Sequence, residues 1–341
     1  MKYKGINYDV GTKTIIGEMT RKVFDIGVVA KEIAIIKDEL HCNAIRISGV
    51  SIDRIAEASE IALKMGLTVW FSPSFAYNDR ETTLNDILES AAVAEKLRTV
   101  YPDLVFVTGN ELSLFTKGFI KGETDNEKLK HVFSPVSQFK NMLGIKRTYN
   151  TQLNEFLATT VDEIKKVFHG QITYASGSWE KVDWKIFDMA GIDLYRSSYN
   201  KLTYPKELKS HKRIEKPLCV TEFGCCAYKG ADDKGAMGWA IVDWKKDIPA
   251  LNGTYTRDEE VQSTYLLELL NHFENENVFA AFVFTFISYH YEYNDNPQYD
   301  LDMASYGIVR SMQHTGQEYY QDLPWIPKQA FFELGRYYKN H

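Results

Sequence analysis

The sequence predicts a (β/α)8 barrel, or TIM barrel, and three observations lead to this prediction. Eight short apolar runs recur along the 341 residues, and amphipathic stretches with helical spacing separate them. The alternation continues without a change of composition or a linker, so we expect residues 1–341 to form a single domain. An open doubly wound sheet would alternate in the same way, but the count of eight strands favours the closed barrel.

The strands are predicted where β-branched and apolar residues cluster between turn residues. A run such as LVFVTGN is typical of a parallel strand that is buried on both faces. Ser51 precedes one amphipathic stretch and Gly66 follows it, as expected for the two ends of a helix. The predicted strands span 3–10, 43–49, 67–73, 104–110, 171–176, 192–198, 218–224 and 279–288. The predicted helices lie within 25–40, 51–66, 83–100, 151–168, 204–214, 257–276 and 327–340.

Four long connections follow predicted strands. In a barrel, the connections after the strands all lie on the catalytic face, where long loops form lids or binding walls. They follow the first, fourth, seventh and eighth strands and span 11–26, 112–150, 225–257 and 289–326.

Composition and charge exclude several classes of protein. Hydrophobic residues make up 44% and charged residues 25% of the chain, as in globular proteins with a large core. The formal net charge is −6 and no dense basic run occurs, so we do not expect a nucleic-acid partner. The N-terminus lacks the pattern of a secretory signal, and no apolar run reaches the length of a membrane span. We therefore expect a cytoplasmic protein without a membrane partner.

Motifs for metals and cofactors are missing from the sequence. The eight histidines are scattered without HxH or HExxH spacing, and no GxGxxG or GxxxxGK[ST] loop occurs. We therefore expect neither a metal nor a cofactor. Of the four cysteines, Cys219 lies in a predicted strand and Cys225 is adjacent to Cys226, a placement that favours reduced thiols.

Two predicted strands end close to a glutamate. Glu111 follows the fourth strand, and Glu222 lies near the end of the seventh. Because the C-terminal ends of barrel strands share one face, we expect the two carboxyl groups to meet there. Such a pair can cleave a glycosidic bond, since one group protonates the leaving oxygen while the other acts as nucleophile or general base. A single glutamate at a strand end would be interpreted as an ordinary solvated side chain.

The strand order and these motifs resemble the clan of retaining glycoside hydrolases with a (β/α)8 barrel. In that clan, an Asn-Glu pair ends the fourth strand and carries the acid/base glutamate, while the nucleophile ends the seventh. Asn110 and Glu111 match the pair, and Glu222 in VTEFG matches the nucleophile. The resemblance implies that Asn110 bonds the 2-hydroxyl of the sugar.

Further positions fit this resemblance in part. Arg46 in NAIRISG resembles the clan's arginine that keeps the nucleophile ionised, although a structural salt bridge is the alternative. Tyr195 in IDLYRSS resembles a tyrosine that contacts the nucleophile. The clan's His after the third strand and its Trp at the end of the eighth are missing. Phe286 is the expected replacement for that Trp as a sugar platform, and Trp179 and His290 are further candidates for substrate contact.

The whole chain also resembles bacterial proteins labelled abortive infection proteins, in segments such as GINYDVG and VTEFGCCAYKGA. The resemblance includes SYHYEYNDNPQYDLDMASYGIV, which follows the eighth strand. Its tyrosines, asparagines and aspartates predict either a carbohydrate-binding wall or a polar surface loop. An association with phage defence stays open.

These arguments lead to one principal hypothesis. We expect a glycosidase that hydrolyses a small glycoside or oligosaccharide with retention, with Glu222 as nucleophile and Glu111 as acid/base. A non-catalytic barrel that binds a carbohydrate or a protein is the first alternative, because the clan's Trp and His are missing. A metal-dependent barrel such as an amidohydrolase is the second. The expected partner is a small carbohydrate, whose identity and linkage the sequence does not specify, and the oligomeric state stays open.

Overall fold

A computed structural model gives the structure of residues 1–14, 17–134 and 147–341, in which eight parallel strands close into a barrel. Each strand pairs with the next strand of the barrel along the chain, and the eighth pairs with the first. The predicted (β/α)8 fold is confirmed. The strands are β1 (Tyr3–Gly11), β2 (Ala44–Gly49), β3 (Thr68–Pro73), β4 (Leu104–Asn110), β5 (Gln171–Ser176), β6 (Ala190–Asp193), β7 (Leu218–Phe223) and β8 (Ala280–Val283).

Helices follow the strands on the outside of the barrel, and all seven predicted helices are confirmed. Aspartate and serine side chains cap several N-termini, as Asp25, Ser51 and Asp258 do. The helices are α1 (Ile26–Asp38), α2 (Ile52–Lys64), α3 (Arg80–Val100), α4 (Leu112–Phe115), α5 (Asp125–Val132), α6 (Thr148–Val167), α7 (Tyr204–His211), α8 (Glu259–Asn275) and α9 (Gln329–Asn340). Residues 15–16 and 135–146, which belong to two of the predicted long connections, lie outside the described residues.

The predicted sixth and eighth strands have the wrong boundaries. The sixth was expected at 192–198, but β6 ends at Asp193 because the backbone of Arg196 instead donates to the hydroxyl of Tyr265. The eighth was expected at 279–288, but β8 ends at Val283. Beyond Val283, the chain leaves the hydrogen-bond ladder of the barrel strands. The amide of Phe286 donates to the carbonyl oxygen of Asn7 instead. Long-range hydrogen bonds therefore end both strands before their apolar runs end.

The interior of the barrel changes from apolar to polar along the strands. Near the strand starts, Trp70 and Phe282 are fully buried, with ring centroids 4.6 Å apart. Because side chains two residues apart point to the same face, the inward positions nearer the C-terminal ends can be identified by alternation. These later positions carry polar side chains, namely Asn7, Arg46, Ser72, Asp193 and Thr221, all of them buried.

Buried ion pairs hold the segment after β8 against the barrel. Glu32 of α1 has no exposed surface, accepts hydrogen bonds from Tyr289 and the indole of Trp325, and pairs with Arg21 at 3.0 Å. A buried carboxylate with several donors is a satisfied group rather than an available ligand contact. Tyr289 therefore has a structural role in this arrangement.

A second cluster ties the same segment to the loop after β7. Arg257 pairs with Asp300 at 2.7 Å and with Asp302 at 2.9 Å, and the buried Lys328 reaches Asp302 at 2.9 Å. Of the two roles predicted for this Tyr- and Asp-rich stretch, Asp300 and Asp302 thus favour packing on the barrel rim. Their carboxylates are engaged within the chain.

The cysteines and the helices show two further features. All four cysteines are buried and none forms a disulfide. Within the described residues, no helix combines the length and the apolar character needed to cross a membrane.

Gly191 of β6 gives a test of the tight packing between β5 and β6. A methyl group at this position would lie 2.3 Å from the backbone carbonyl oxygen of Tyr174 on β5, so the strands would have to move apart. We expect Gly191→Ala to lower the free energy of unfolding by about 1–3 kcal/mol, measured by urea denaturation. Gly253→Ala is the matched control, since its nearest contact would be an ordinary 3.4 Å to the ring of Tyr255. Equal stability of the two variants would contradict the packing described here.

Candidate active site

Arg46 lies at the centre of the polar layer near the C-terminal end of the barrel. Only 2% of its side chain is exposed, so its charge has to be compensated by groups of the protein. Acceptors on four other strands surround it. Its guanidinium donates to Ser72 Oγ at 3.1 Å, Asn7 Oδ1 at 3.1 Å, the carbonyl oxygen of Thr221 at 3.2 Å, Asn110 Oδ1 at 2.7 Å and Glu222 Oε1 at 2.9 Å.

Glu222 is held from two sides. One carboxylate oxygen forms the ion pair with Arg46, and the other accepts a hydrogen bond from the hydroxyl of Tyr195 at 3.2 Å. Burial and the charge of Glu222 raise the pKa of Tyr195 well above its ordinary value, so the phenol stays a donor. The carboxylate is 13% exposed, which leaves it accessible from the mouth of the barrel.

Glu111 stands in a different environment from Glu222. It follows β4 in a left-handed backbone conformation with φ 45° and ψ 41°, and its amide donates to the carbonyl oxygen of Ala175 at 2.9 Å. Burial raises the pKa of Glu111 well above its usual range, and the nearby charges of Asp193 and Glu222 raise it further. Arg46 acts in the opposite direction but does not outweigh them. These influences favour the protonated form of Glu111.

Asn110 links the ion pair of Arg46 and Glu222 to the turn that carries Glu111. Its carbonyl oxygen accepts the 2.7 Å hydrogen bond from Arg46, which fixes the orientation of the amide. Among the described residues, no group accepts a hydrogen bond from its amide nitrogen. Two N–H donors beside Glu111 are therefore available to a ligand.

The structure thus brings together five of the eight predicted site residues, namely Arg46 and the four groups near it, Asn110, Glu111, Tyr195 and Glu222. Of the remaining three residues, Phe286 and His290 are not part of this cluster. Phe286 is fully buried, with its ring 5.4 Å from that of Trp325, so it offers no face to a sugar. His290 contacts Trp244 and Tyr291, and burial lowers the pKa of His290 to about 4, which leaves the ring neutral at physiological pH.

Trp179 lies on the wall between the loops after β4 and β5. Its indole donates to Ser113 Oγ at 3.0 Å, two residues after Glu111. The six-membered ring lies so close to Gly177 that a methyl group there would meet it at 2.6 Å. The residue is half-buried, and its ring lies 6.2 Å from that of Phe133.

Phe284 takes the position that the sequence argument assigned to Phe286. It directly follows β8, is half-buried, and lies 5.8 Å from the ring of Tyr306. Tyr306 in turn lies 5.9 Å from Tyr195, the partner of Glu222. The aromatic side chain at the end of the eighth strand is therefore Phe284, two residues earlier than predicted.

Three polar residues of the site were missed from the sequence. Asn7 donates to the carbonyl oxygens of Thr221, Phe282 and Val283 and accepts from Arg46. Its signal was a polar side chain within the apolar run of the first strand. The other two are buried acids, Asp193 and Glu180, whose pKa values burial raises.

Glu180 fixes the loop after β5 to the loop after β4. It accepts hydrogen bonds from the hydroxyl of Tyr174 at 2.9 Å, the amide of Ser113 at 3.0 Å and the amide of Gly177 at 3.2 Å. Both carboxylate oxygens of Glu180 therefore accept hydrogen bonds. Glu180 is thus a support for the Glu111 turn rather than a group available to a ligand.

The described residues contain no group of three or more His, Cys, Asp or Glu side chains placed to hold a metal ion. Of the carboxyl groups near Arg46, Glu222 bonds the guanidinium and the hydroxyl of Tyr195, and Asp193 accepts from the hydroxyl of Thr221.

Comparisons with known proteins bear on the fold. No protein-family model and no curated protein matches the chain. A solved structure of a GH113 β-1,4-mannanase matches with a TM-score of 0.64 and 14% identity, covering 100% of this chain and 99% of that chain. The GH113 β-mannanase AaManA from Alicyclobacillus acidocaldarius, in complex with ManMIm, matches with a TM-score of 0.59 and 12% identity over 99% of this chain and 97% of that chain.

A β-glucuronidase from Bacteroides uniformis matches 91% of this chain with a TM-score of 0.56 and 15% identity, and the match covers 33% of that chain. At these identities the similarity shows a shared fold and leaves the activity and substrate undetermined. The resemblance to proteins labelled abortive infection proteins has no support in these comparisons.

Glu111→Gln tests the environment of Glu111 without any substrate. A raised pKa in the folded protein means that the contribution of Glu111 to stability is complete below the unfolded pKa and is lost as the pH rises. The variant has no such loss. We expect its free energy of unfolding, relative to the wild type, to increase above about pH 4.5 by about 1.4 kcal/mol per pH unit until the folded pKa is reached.

Urea denaturation between about pH 5 and pH 8 measures this difference. Glu155→Gln, at an exposed position of α6, is the matched control and should show no such increase. A pH-independent difference between Glu111→Gln and the wild type would show that Glu111 is not held as an acid.

Proposed function

We propose that the protein is a glycoside hydrolase that acts with retention of configuration. The observation that carries this proposal is the contrast between two glutamates near one buried arginine. Glu222 is bound by Arg46 and Tyr195, whereas Glu111 is desolvated and its pKa is raised. A nucleophilic carboxylate and a protonated carboxylic acid are the two groups that this reaction requires.

In the first step, a carboxylate oxygen of Glu222 attacks the anomeric carbon and the bond to the leaving oxygen breaks. Glu111 gives its proton to that oxygen, so the aglycone departs as an alcohol and a glycosyl ester remains on Glu222. In the second step, Glu111 takes a proton from water as the water attacks the anomeric carbon. The sugar is released, and both glutamates return to their starting states. This mechanism requires carboxyl groups about 5–5.5 Å apart.

The charge of the site stays constant through this sequence. Before the reaction Glu222 is the anion, and in the glycosyl ester Glu111 is the anion. Arg46 bonds Glu222 directly and reaches the Glu111 turn through Asn110, so the same cation lies near both positions of the negative charge. A site arranged in this way needs little reorganisation between the two steps.

The sugar would be recognised by few groups. The amide nitrogen of Asn110 is placed to donate to a hydroxyl beside Glu111, as the resemblance implies for the 2-hydroxyl. In this proposal, the half-buried aromatic residues Phe284 and Trp179 supply the ring faces on which a pyranose stacks. The names of the compared structures suggest the first substrates to test, namely aryl β-mannosides, manno-oligosaccharides and aryl β-glucuronides.

A panel of aryl glycosides that includes these substrates tests the proposal. On a substrate that the wild type cleaves, Glu222→Ala should lower turnover by at least about 10³-fold, because the nucleophile is lost. Azide, as an external nucleophile, should restore part of the turnover.

Tyr195→Phe should lower turnover by about 10- to 100-fold, since it removes one hydrogen bond to a charged group.

Undiminished turnover by Glu222→Ala would refute the assignment of the nucleophile. Binding of an oligosaccharide without turnover, with an affinity that Glu111→Gln does not change, would support the non-catalytic alternative. Stoichiometric transition metal in the purified protein would favour a metal-dependent barrel instead.

A further inference from the structure

We propose that Tyr174 and Glu180 are positioning residues of the same site, which hold the backbone after Glu111 by its amides and leave the side chain of Glu111 uncommitted. The kinetic part of this inference rests on the proposed glycosidase function. The structural part concerns the hydrogen bonds of two backbone amides, those of Leu112 and Ser113, and it can be tested without a substrate.

The turn after β4 needs hydrogen-bond acceptors from another part of the chain. Glu111 directly precedes α4, and the first amides of a helix have no acceptor within the helix. A side chain at this N-cap position commonly accepts from them, but the side chain of Glu111 makes no such hydrogen bond. Because Leu112 and Ser113 are buried, water does not replace the missing acceptor.

Strand β5 and the loop that follows it supply the acceptors. The amide of Leu112 donates to the hydroxyl oxygen of Tyr174 at 2.7 Å, and the amide of Ser113 donates to Glu180 Oε1 at 3.0 Å. The hydroxyl of Tyr174 in turn donates to Glu180 Oε2 at 2.9 Å. Burial raises the pKa of Tyr174 well above its ordinary value, so the hydroxyl keeps the proton that it donates. Tyr174 and Glu180 thus cap α4 in place of Glu111.

The two capping residues are themselves held firmly. Tyr174 has no exposed surface, and Glu180 is 8% exposed. Glu180 also accepts from the amide of Gly177 at 3.2 Å, while its own amide donates to the carbonyl oxygen of Gly177 at 3.0 Å. The same loop holds Ser113 a second time, because the indole of Trp179 donates to Ser113 Oγ at 3.0 Å. The Glu111 turn therefore cannot move without breaking buried hydrogen bonds.

This support matters because the backbone of Glu111 is strained. A residue other than glycine keeps a left-handed conformation, here with φ 45°, only where its surroundings hold it there. If the cap is lost, the carboxyl group of Glu111 lies at the position from which an N-cap side chain accepts, and it would replace Glu180 as the acceptor for Ser113. The acid would then be withdrawn from the leaving oxygen of a substrate.

Tyr174→Phe tests the cap without a substrate. The variant keeps the ring and removes the acceptor of the Leu112 amide. We expect this amide hydrogen to exchange with deuterium at least about 10-fold faster, relative to the amides of the barrel strands, as measured by NMR. Tyr338→Phe is the matched control, since it also removes one buried hydrogen bond, from the hydroxyl to the carbonyl oxygen of Gly5 at 3.1 Å. It should leave the relative exchange rate of Leu112 unchanged.

With a sugar that the wild type cleaves, the leaving group separates a misplaced acid from general damage. Dinitrophenolate departs without a proton, whereas phenolate needs one from the acid. Tyr174→Phe should therefore lower kcat/KM by about 10- to 100-fold for the phenyl glycoside and by less than about threefold for the dinitrophenyl glycoside. Glu111→Gln, which removes the acid itself, gives the reference pattern, and Tyr338→Phe should keep the wild-type ratio of the two rates.

Glu180→Gln is the second variant and replaces Tyr174→Phe if that protein does not fold. Glutamine keeps the shape of the side chain, but only one of its two terminal atoms can accept a hydrogen bond. The amide of either Ser113 or Gly177 then loses its acceptor, and we expect about 10-fold faster exchange at that amide. The kinetic pattern should be that of Tyr174→Phe.

The outcomes distinguish this inference from the proposed function. An unchanged exchange rate at Leu112 in Tyr174→Phe, or an equal loss of kcat/KM on the phenyl and dinitrophenyl glycosides, would overturn the role of the cap. Faster exchange in a protein that cleaves no glycoside would support the cap and count against the glycosidase proposal alone.

Discussion

The arrangement at the mouth of the barrel depends on one buried positive charge. A guanidinium that is 2% exposed is tolerated only if hydrogen-bond acceptors surround it, and the acceptors of Arg46 come from β1, β3, β4 and β7. Closing the barrel supplies these acceptors at once, because the inward positions of neighbouring strands converge near its C-terminal end. Arg46 thus couples the fold to the site. The closed barrel brings the acceptors together, and the cation determines where the carboxylate of Glu222 lies.

Two residues of the same type acquire opposite properties because their backbones differ. Glu222 continues a strand and reaches both Arg46 and Tyr195. Glu111 stands just beyond its strand in a left-handed turn, where burial and neighbouring acids dominate. A non-glycine residue in that conformation costs on the order of 1 kcal/mol of stability. The turn therefore destabilises the fold slightly, and it places the side chain of Glu111 at the end of β4. The raised pKa of Glu111 follows from this placement.

Much of the fold could be predicted from the sequence, and part of the site as well. Strands buried on both faces carry continuous apolar runs, so their number and order were visible, and residues at their ends fell on one face. The ends of β6 and β8 were not visible, because bonds to distant partners such as Tyr265 and Asn7 decide them. The same misplacement led to Phe286, instead of Phe284, as the aromatic side chain expected at the end of the eighth strand. Asp193 was missed because its place beside Glu222 comes from the pairing of β6 with β7, which the local sequence does not show.

Contacts within the rim of the barrel reduce the number of polar groups that are available to a ligand. Asp300 and Asp302 after β8, which by composition could have bound sugar hydroxyls, are engaged by Arg257 and Lys328. Tyr289 is engaged in the same way by Glu32. Anchoring this segment holds it firmly against the barrel, and it also removes polar groups from the set that a substrate can use. In the proposed glycosidase, recognition near the two glutamates would then rest on aromatic faces and on the amide of Asn110. Because stacking on a ring face tolerates many sugars, discrimination among them would depend on hydroxyl contacts beside Glu111.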